Sequence, residues 1–322
     1  MKAATNELPE RWRISLAQYS LHRLIGGGGA FPLRMARRIN FALKERPSDI
    51  LEPTLDPINF PAFARERFDI DAVEYVSGFY TGRATDKTYL NDLKQRADDA
   101  GVDGVLMMVD GEGALGAASD TERTSAIEKH KKWLDAAARL GCGVVRVFAH
   151  TDDTLSRDEQ RDVSVDGIGR LAEYAKSTGI ELAIENKVGP SCDASWLVSV
   201  VEAIGDSSVG TLPDFGNFNI SPTEQYDVVK GVTELMPYAK GVSVKTFEFD
   251  NSGNETTLPF TAVMEQVFAS GYSGYLGLEF EGTSMTEVDG VRATKRLVNR
   301  LIDAFDATEV DTAEDSDRKT KA

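Results

Sequence analysis

Four stretches of this 322-residue sequence put charge on a face that strand alternation would otherwise leave small or apolar. Within Glu181–Asn186, residues Ala183 and Glu185 share a face with the following Lys187, opposite Leu182 and Ile184. Within Gly210–Asp214 the shared row is Gly210, Leu212 and Asp214. Within Gly241–Thr246 it is Gly241, Ser243 and Lys245. Within Tyr275–Glu281, Gly277, Glu279 and Glu281 oppose Leu276, Leu278 and Phe280. Each charge sits at the C-terminal end of its run. Carboxylates gathered in one buried place need paired cations, hydrogen bonds or a metal. Glu74, Asp110, Arg146 and His150, on or just past three further runs, are able to join them. One charge at a strand end is an ordinary rim salt bridge. Three carboxylates on near-successive runs, Glu185, Asp214 and Glu279, point to chemistry instead.

The elements that must position these residues repeat along the chain. Short β-branched runs at Ile14–Tyr19, Ala72–Ser77, Gly104–Val109 and Val144–Ala149 precede the four above. From the second onward they start at the spacing of one βα unit. Helical patterns lie between them. The clearest spans Thr121–Leu140, with Asp120 as expected N-cap and Gly141 as its stop. Eight such units predict an α/β fold, a single (β/α)8 TIM barrel, with the charged strand ends converging at its C-terminal mouth. No G-x-G-x-x-G follows a strand, so the dinucleotide fingerprint is missing. The barrel is expected over residues 14–305, after an N-terminal extension 1–13 and before an acidic, disordered tail 306–322. The run Gly26–Gly29 and the basic stretch around Arg34, Arg37 and Arg38 read as a flexible loop, since no Walker-type Lys-Ser/Thr follows. His130 falls on the apolar side of its helix and reads as a packed histidine.

Composition excludes several classes. Acids outnumber bases 52 to 36, a formal charge of −16. That disfavours nucleic acid, whose phosphates call for clustered Lys and Arg. No run reaches the ~18 apolar residues of a membrane span, and no signal peptide is apparent at the N-terminus. Two cysteines, Cys142 and Cys192, rule out a disulfide scaffold and fit a reducing, cytoplasmic compartment.

The segments Ser15–His22, Ala72–Val76, Ile184–Asn186, Leu212–Asn217, Val242–Thr246 and Gly277–Gly282 together resemble the sugar phosphate isomerase/epimerase family with its xylose-isomerase-like TIM barrel. The resemblance covers Ile14 to about Leu301. It implies a divalent metal held by a Glu on strand five, an Asp on strand six, a His on strand seven and a Glu on strand eight, with the two glutamates shuttling a proton. Residue by residue, that puts Glu185, Asp214 and Glu279 in those places, with Glu185 and Glu279 catalytic. Three histidine positions of the family are filled otherwise. Ser243 or Lys245 stands at the strand-seven ligand, Asn217 three residues after Asp214, and Lys187 after Glu185-Asn186.

The chemistry implied is isomerisation or epimerisation of a sugar or sugar phosphate, by removal of a proton next to a carbonyl. The enediolate that develops needs positive charge beside it. Oxygen ligands alone would favour Mg²⁺ or Mn²⁺; alternatively Lys245 or Lys187 supplies the charge and the metal is lost. Expected substrate contacts are Lys187, Asn217, Lys245, His150, His22 and Glu281, with Tyr19, Phe148, Phe215 and Phe247 as aromatic neighbours. The same site would serve β-elimination from an oxidised (3-oxo) glycoside. A non-catalytic carbohydrate-binding barrel is the reading from another class. The expected partner is a small carbohydrate, with neither nucleic acid nor membrane, and a homo-oligomer is left open.

Overall fold

All eight runs become parallel strands of one sheet. The computed structural model describes residues 11–26, 54–187 and 189–320, with side chains as far as Thr308. The glycine run past Gly26 and the basic stretch around Arg34 lie outside the described residues, as does most of the N-terminal extension. The strands are β1 (Trp12–Ala17), β2 (Ala72–Val76), β3 (Asp103–Met108), β4 (Val144–Phe148), β5 (Glu181–Glu185), β6 (Val209–Leu212), β9 (Val242–Thr246) and β10 (Gly274–Phe280). A small antiparallel hairpin, β7 (Asn219–Ser221) and β8 (Glu224–Gln225), rises after β6 and was not foreshadowed by the pattern.

The sheet order is β6-β5-β4-β3-β2-β1-β10-β9. Its two ends meet where Lys240 N donates to Thr211 O and Ser243 N donates to Pro213 O, both at 2.9 Å, so the barrel is nearly closed. Register sets the mouth. Glu279 stands beside Lys245 across the β10–β9 pair, and Phe148 beside Glu185 across β4–β5.

Helices between the strands have clear starts and stops. Ser156 and Glu159 form a capping box at helix Arg157–Thr178, which Gly179 ends in the left-handed conformation. Helix Asp120–Leu140 starts one residue earlier than expected, at the residue read as its cap. Ser119 accepts from Glu122 N, and Asp120 becomes a first-turn acid favoured by the helix dipole. His130 is buried in that helix with Nδ1 2.7 Å from Ala126 O. The last helix, Glu287–Thr320, continues through the acidic segment. No helix among the described residues is long and apolar enough to cross a membrane.

Two apolar clusters follow from the alternation. The large one lies between the outer face of the sheet and the helices, and includes Leu16, Val73, Val145, Leu182, Ile184, Val244 and Leu278. The small one fills the barrel interior with Ala17, Val76, Leu106, Met108, Ala183 and Leu212. The inner face thus has an apolar layer, and charge is carried by the residues one pleat further along. Gly277 leaves room for one intruder: a Cβ there would lie 2.2 Å from Glu74 Oε1.

Candidate active site

Glu185 ends β5 on the inner face and is 2% exposed. Its charge is matched twice. Arg146 of β4 places Nε 2.8 Å from Glu185 Oε2, an ion pair not aligned as a hydrogen bond. Arg146 Nη1 also reaches Asp110 Oδ1 at 2.7 Å and donates to Val109 O. Lys187, two residues past Glu185 on the same side, donates to Glu185 Oε1 at 3.2 Å. Asn217 Nδ2 donates to the same oxygen at 2.9 Å. Burial pushes the Glu185 carboxyl up, but Lys187, Arg146 and Lys245 outweigh it and hold the group below the usual glutamate range. Glu185 is therefore ionised at neutral pH. The Lys187 side chain is 29% exposed at the mouth, with its ammonium 5.8 Å from the Tyr19 ring and 5.9 Å from the Phe148 ring.

A second cluster is built around Lys245 of β9, which is 1% exposed. Its ammonium lies 2.8 Å from Asp214 Oδ2, 3.1 Å from Glu279 Oε1 and 2.9 Å from Glu281 Oε1. Ser243, one pleat below, donates to Glu279 Oε2 at 2.6 Å and lies 3.3 Å from Asp214 Oδ2. One hydroxyl proton cannot serve both carboxylates fully. Burial raises the Asp214 carboxyl; Lys245 opposes that rise, and the negative Glu279 and Glu185 add to it. Asp214 is anchored by its loop: Gly216 N donates to Oδ1, and Asn186 clamps the backbone by accepting from Asp214 N and donating to Asp214 O.

Glu74 of β2 lies deeper in the barrel. Ser15 donates to its Oε1 at 2.6 Å, while Oε2 has no hydrogen-bond partner. Burial pushes this carboxyl up to about 7, further than Ser15 lowers it, so it spends much of its time protonated near neutral pH.

The expected residues therefore divide. Glu185, Lys187 and Asn217 meet in one cluster, and Asp214, Glu279, Lys245 and Glu281 in the other. His22 takes another path. Its Nδ1 lies 2.9 Å from Tyr19 O and 3.3 Å from Glu287 Oε1, and its ring stacks on Tyr19. His150 is exposed, just after β4. Phe215 belongs to the outer core and also lines, with Phe247, Gly216, Phe218, Val228 and Leu258, a cleft of about 400 Å³ beside the mouth. Arg146 carries more of the site than its place in the sequence argument suggested. Its signal was the alternation Val144, Arg146, Phe148, a cation at an otherwise apolar inner position. Ser15 had no such signal.

The divalent-metal expectation meets a specific obstacle. Among the described residues no three His, Cys, Asp or Glu side chains form a group able to hold an ion. Asp214 and Glu279 share the Lys245 ammonium, and Glu185 is occupied by Arg146 and Lys187. The donor set present does not fit a metal held by Glu185, Asp214 and Glu279.

Comparison with known proteins bears on the fold. A family model described as xylose isomerase-like TIM barrel matches residues 63–303. No curated protein sequence matches the chain. An L-ribulose 3-epimerase structure superposes with a TM-score of 0.63 at 15% identity, covering 92% of this chain and 97% of that one. The 3-keto-D-glucoside 4-epimerase YcjR from E. coli gives 0.61 at 17% identity, covering 76% and 94%. The IOLI protein, described with a bound zinc atom, gives 0.63 at 12% identity, covering 90% and 98%. At these identities the likeness is one of fold.

Proposed function

The chain belongs to the xylose isomerase-like TIM barrel family, and on that premise we propose that it is a sugar isomerase or epimerase that moves a proton next to a carbonyl. One observation carries this reading: two buried glutamates, three strands apart around the mouth, stand in opposite electrostatic settings. Glu185 is held ionised by two cations and acts as the base. Glu279 belongs to a group of three carboxylates sharing one ammonium, and its neighbour Asp214 is pushed upward by burial. A sugar between them loses a proton to Glu185 and regains one from the Glu279 side. Glu185 ends protonated and the other group ionised, and exchange with solvent restores both. Lys187, exposed at the mouth, stands where it can donate to the oxyanion that develops. Asn217 keeps the Glu185 carboxylate oriented.

The cleft beside Gly216 favours a second reading. Its apolar lining suits the aglycone of an oxidised glycoside, from which the same base would start a β-elimination. A decayed, purely sugar-binding barrel would do neither. The experiment is proton exchange in deuterated water, followed by NMR, over free ketoses, sugar phosphates and 3-oxo glycosides. Deuterium appearing at the carbon next to the carbonyl supports proton transfer. Release of an aglycone identifies the elimination. Tight sugar binding with no exchange on any substrate would overturn the enzymatic reading.

A further inference from the structure

The three carboxylates of the second cluster surround one point, and that point is filled by the chain itself. Lys245 has three N–H bonds, and Asp214, Glu279 and Glu281 offer three acceptors at 2.8, 3.1 and 2.9 Å. We propose that Lys245 is the resident cation of this site, a tethered ammonium standing where a divalent ion would otherwise be held, and that the folded protein binds no divalent metal there.

Geometry carries the argument. A divalent ion with Asp214 and Glu279 as ligands would need oxygen distances of about 2.0–2.6 Å. Those oxygens already face Lys245 Nζ, so the ion and the ammonium would be forced together and repel. The lysine has little room to leave. It is among the largest fully buried side chains, and its stem runs against Gly216, where even a Cβ would lie 3.1 Å from Cγ and Cδ. Three of the candidate ligands are engaged elsewhere. Glu185 is bound by Arg146 and Lys187. His22 is engaged with Tyr19 and Glu287, and His130 with its own helix.

The arrangement gives the ammonium a use. Asp214 and Glu279 hold it from the buried side, with side chains 0% and 4% exposed. Glu281, at 8%, is its partner nearest the rim. A substrate oxygen that displaces Glu281 gains a charge-assisted hydrogen bond from a fixed donor, the role a metal plays in polarising a carbonyl. This use rests on the proton-transfer reading; the absence of metal binding does not.

The test therefore reads metal and stability first. Wild-type protein, purified without chelator, is titrated with Mn²⁺, Mg²⁺ and Zn²⁺ and melted with and without EDTA. The expected result is no stoichiometric ion by elemental analysis and an unchanged melting temperature. About one equivalent of tightly bound ion, lost in Asp214→Asn, would overturn the proposal. Lys245→Ser then opens the cage. It should melt below wild type in EDTA and gain roughly 4 °C with Mn²⁺ at about a hundredfold excess over its dissociation constant. A folded Lys245→Ser that takes up no ion would overturn the claim that the ammonium occupies an ion's place. Should that variant not fold, the wild-type titration alone decides.

Discussion

The two charge clusters at the mouth are built on opposite plans. At β4 and β5 one carboxylate, Glu185, lies between two cations, Arg146 and Lys187. At β6, β9 and β10 one cation, Lys245, lies among three carboxylates. Both are almost fully buried, so burial alone does not set which groups ionise. The ratio of cations to carboxylates does. Burial pushes both carboxyls up; at Glu185 the neighbouring cations outweigh it, whereas at Asp214 the one shared ammonium does not. Glu74 completes the series: burial pushes it up to about 7, and the Ser15 hydroxyl that donates to it offsets only part of that rise. A base and a store of protons can thus coexist within one barrel mouth because cations are shared unequally.

Removing the two catalytic candidates tests the comparison hardest. Glu185→Gln and Glu279→Gln should each lower turnover by at least about a hundredfold, the scale of a general acid or base. Their stabilities should differ. Glu185→Gln takes from buried Arg146 one of its two carboxylates and from the part-exposed Lys187 its partner, and should cost on the order of 2–4 kcal/mol. Glu279→Gln leaves Lys245 two carboxylates and should cost far less. Chemical denaturation checks this, and equal losses would break the contrast between the clusters.

Glu74→Gln comes next. The folded carboxyl, at about 7, binds its proton more tightly than the unfolded one at 4.5. The folded state keeps a proton that the unfolded state releases between these values, so this group's contribution to stability falls as pH rises across that window. The glutamine variant lacks that loss. Relative to wild type it should be about 2 kcal/mol more favourable at pH ~8 than at pH ~5. A difference independent of pH would mean that Glu74 is ionised throughout.

The smallest effect is expected at Lys187. Lys187→Met removes the strongest cationic influence on Glu185, so the glutamate shifts upward and the acid limb of the kcat profile moves to higher pH. Turnover near neutrality should fall by about tenfold, as expected for loss of one hydrogen bond to a charged group. An acid limb that stays in place would assign Arg146 alone to holding Glu185 ionised.

Much of this molecule is legible in its sequence because strand alternation is local. A period of two fixes which residues share a face, and Glu185, Asp214, Lys245 and Glu279 fell on the inner face as read. The eight runs and their spacing likewise predicted the parallel barrel, to within a residue or two at most strand ends. What alternation cannot supply is the identity of the neighbour. That Lys245 faces Asp214, Glu279 and Glu281 depends on the register between β9 and β10 and on barrel closure between β6 and β9. That Arg146 claims Glu185 depends on the register of β4 against β5. His22 shows the same limit. Its sequence position after the first strand suggested the mouth, but Glu287, 265 residues further on, holds it elsewhere. The sequence by itself determined which charges would be brought inward, since that follows from chain geometry over two residues. Only the tertiary structure decided which cation meets which carboxylate, because pairing is set by contacts between strands distant in the chain and by the space, as at Gly216, that the packed barrel leaves for a lysine stem.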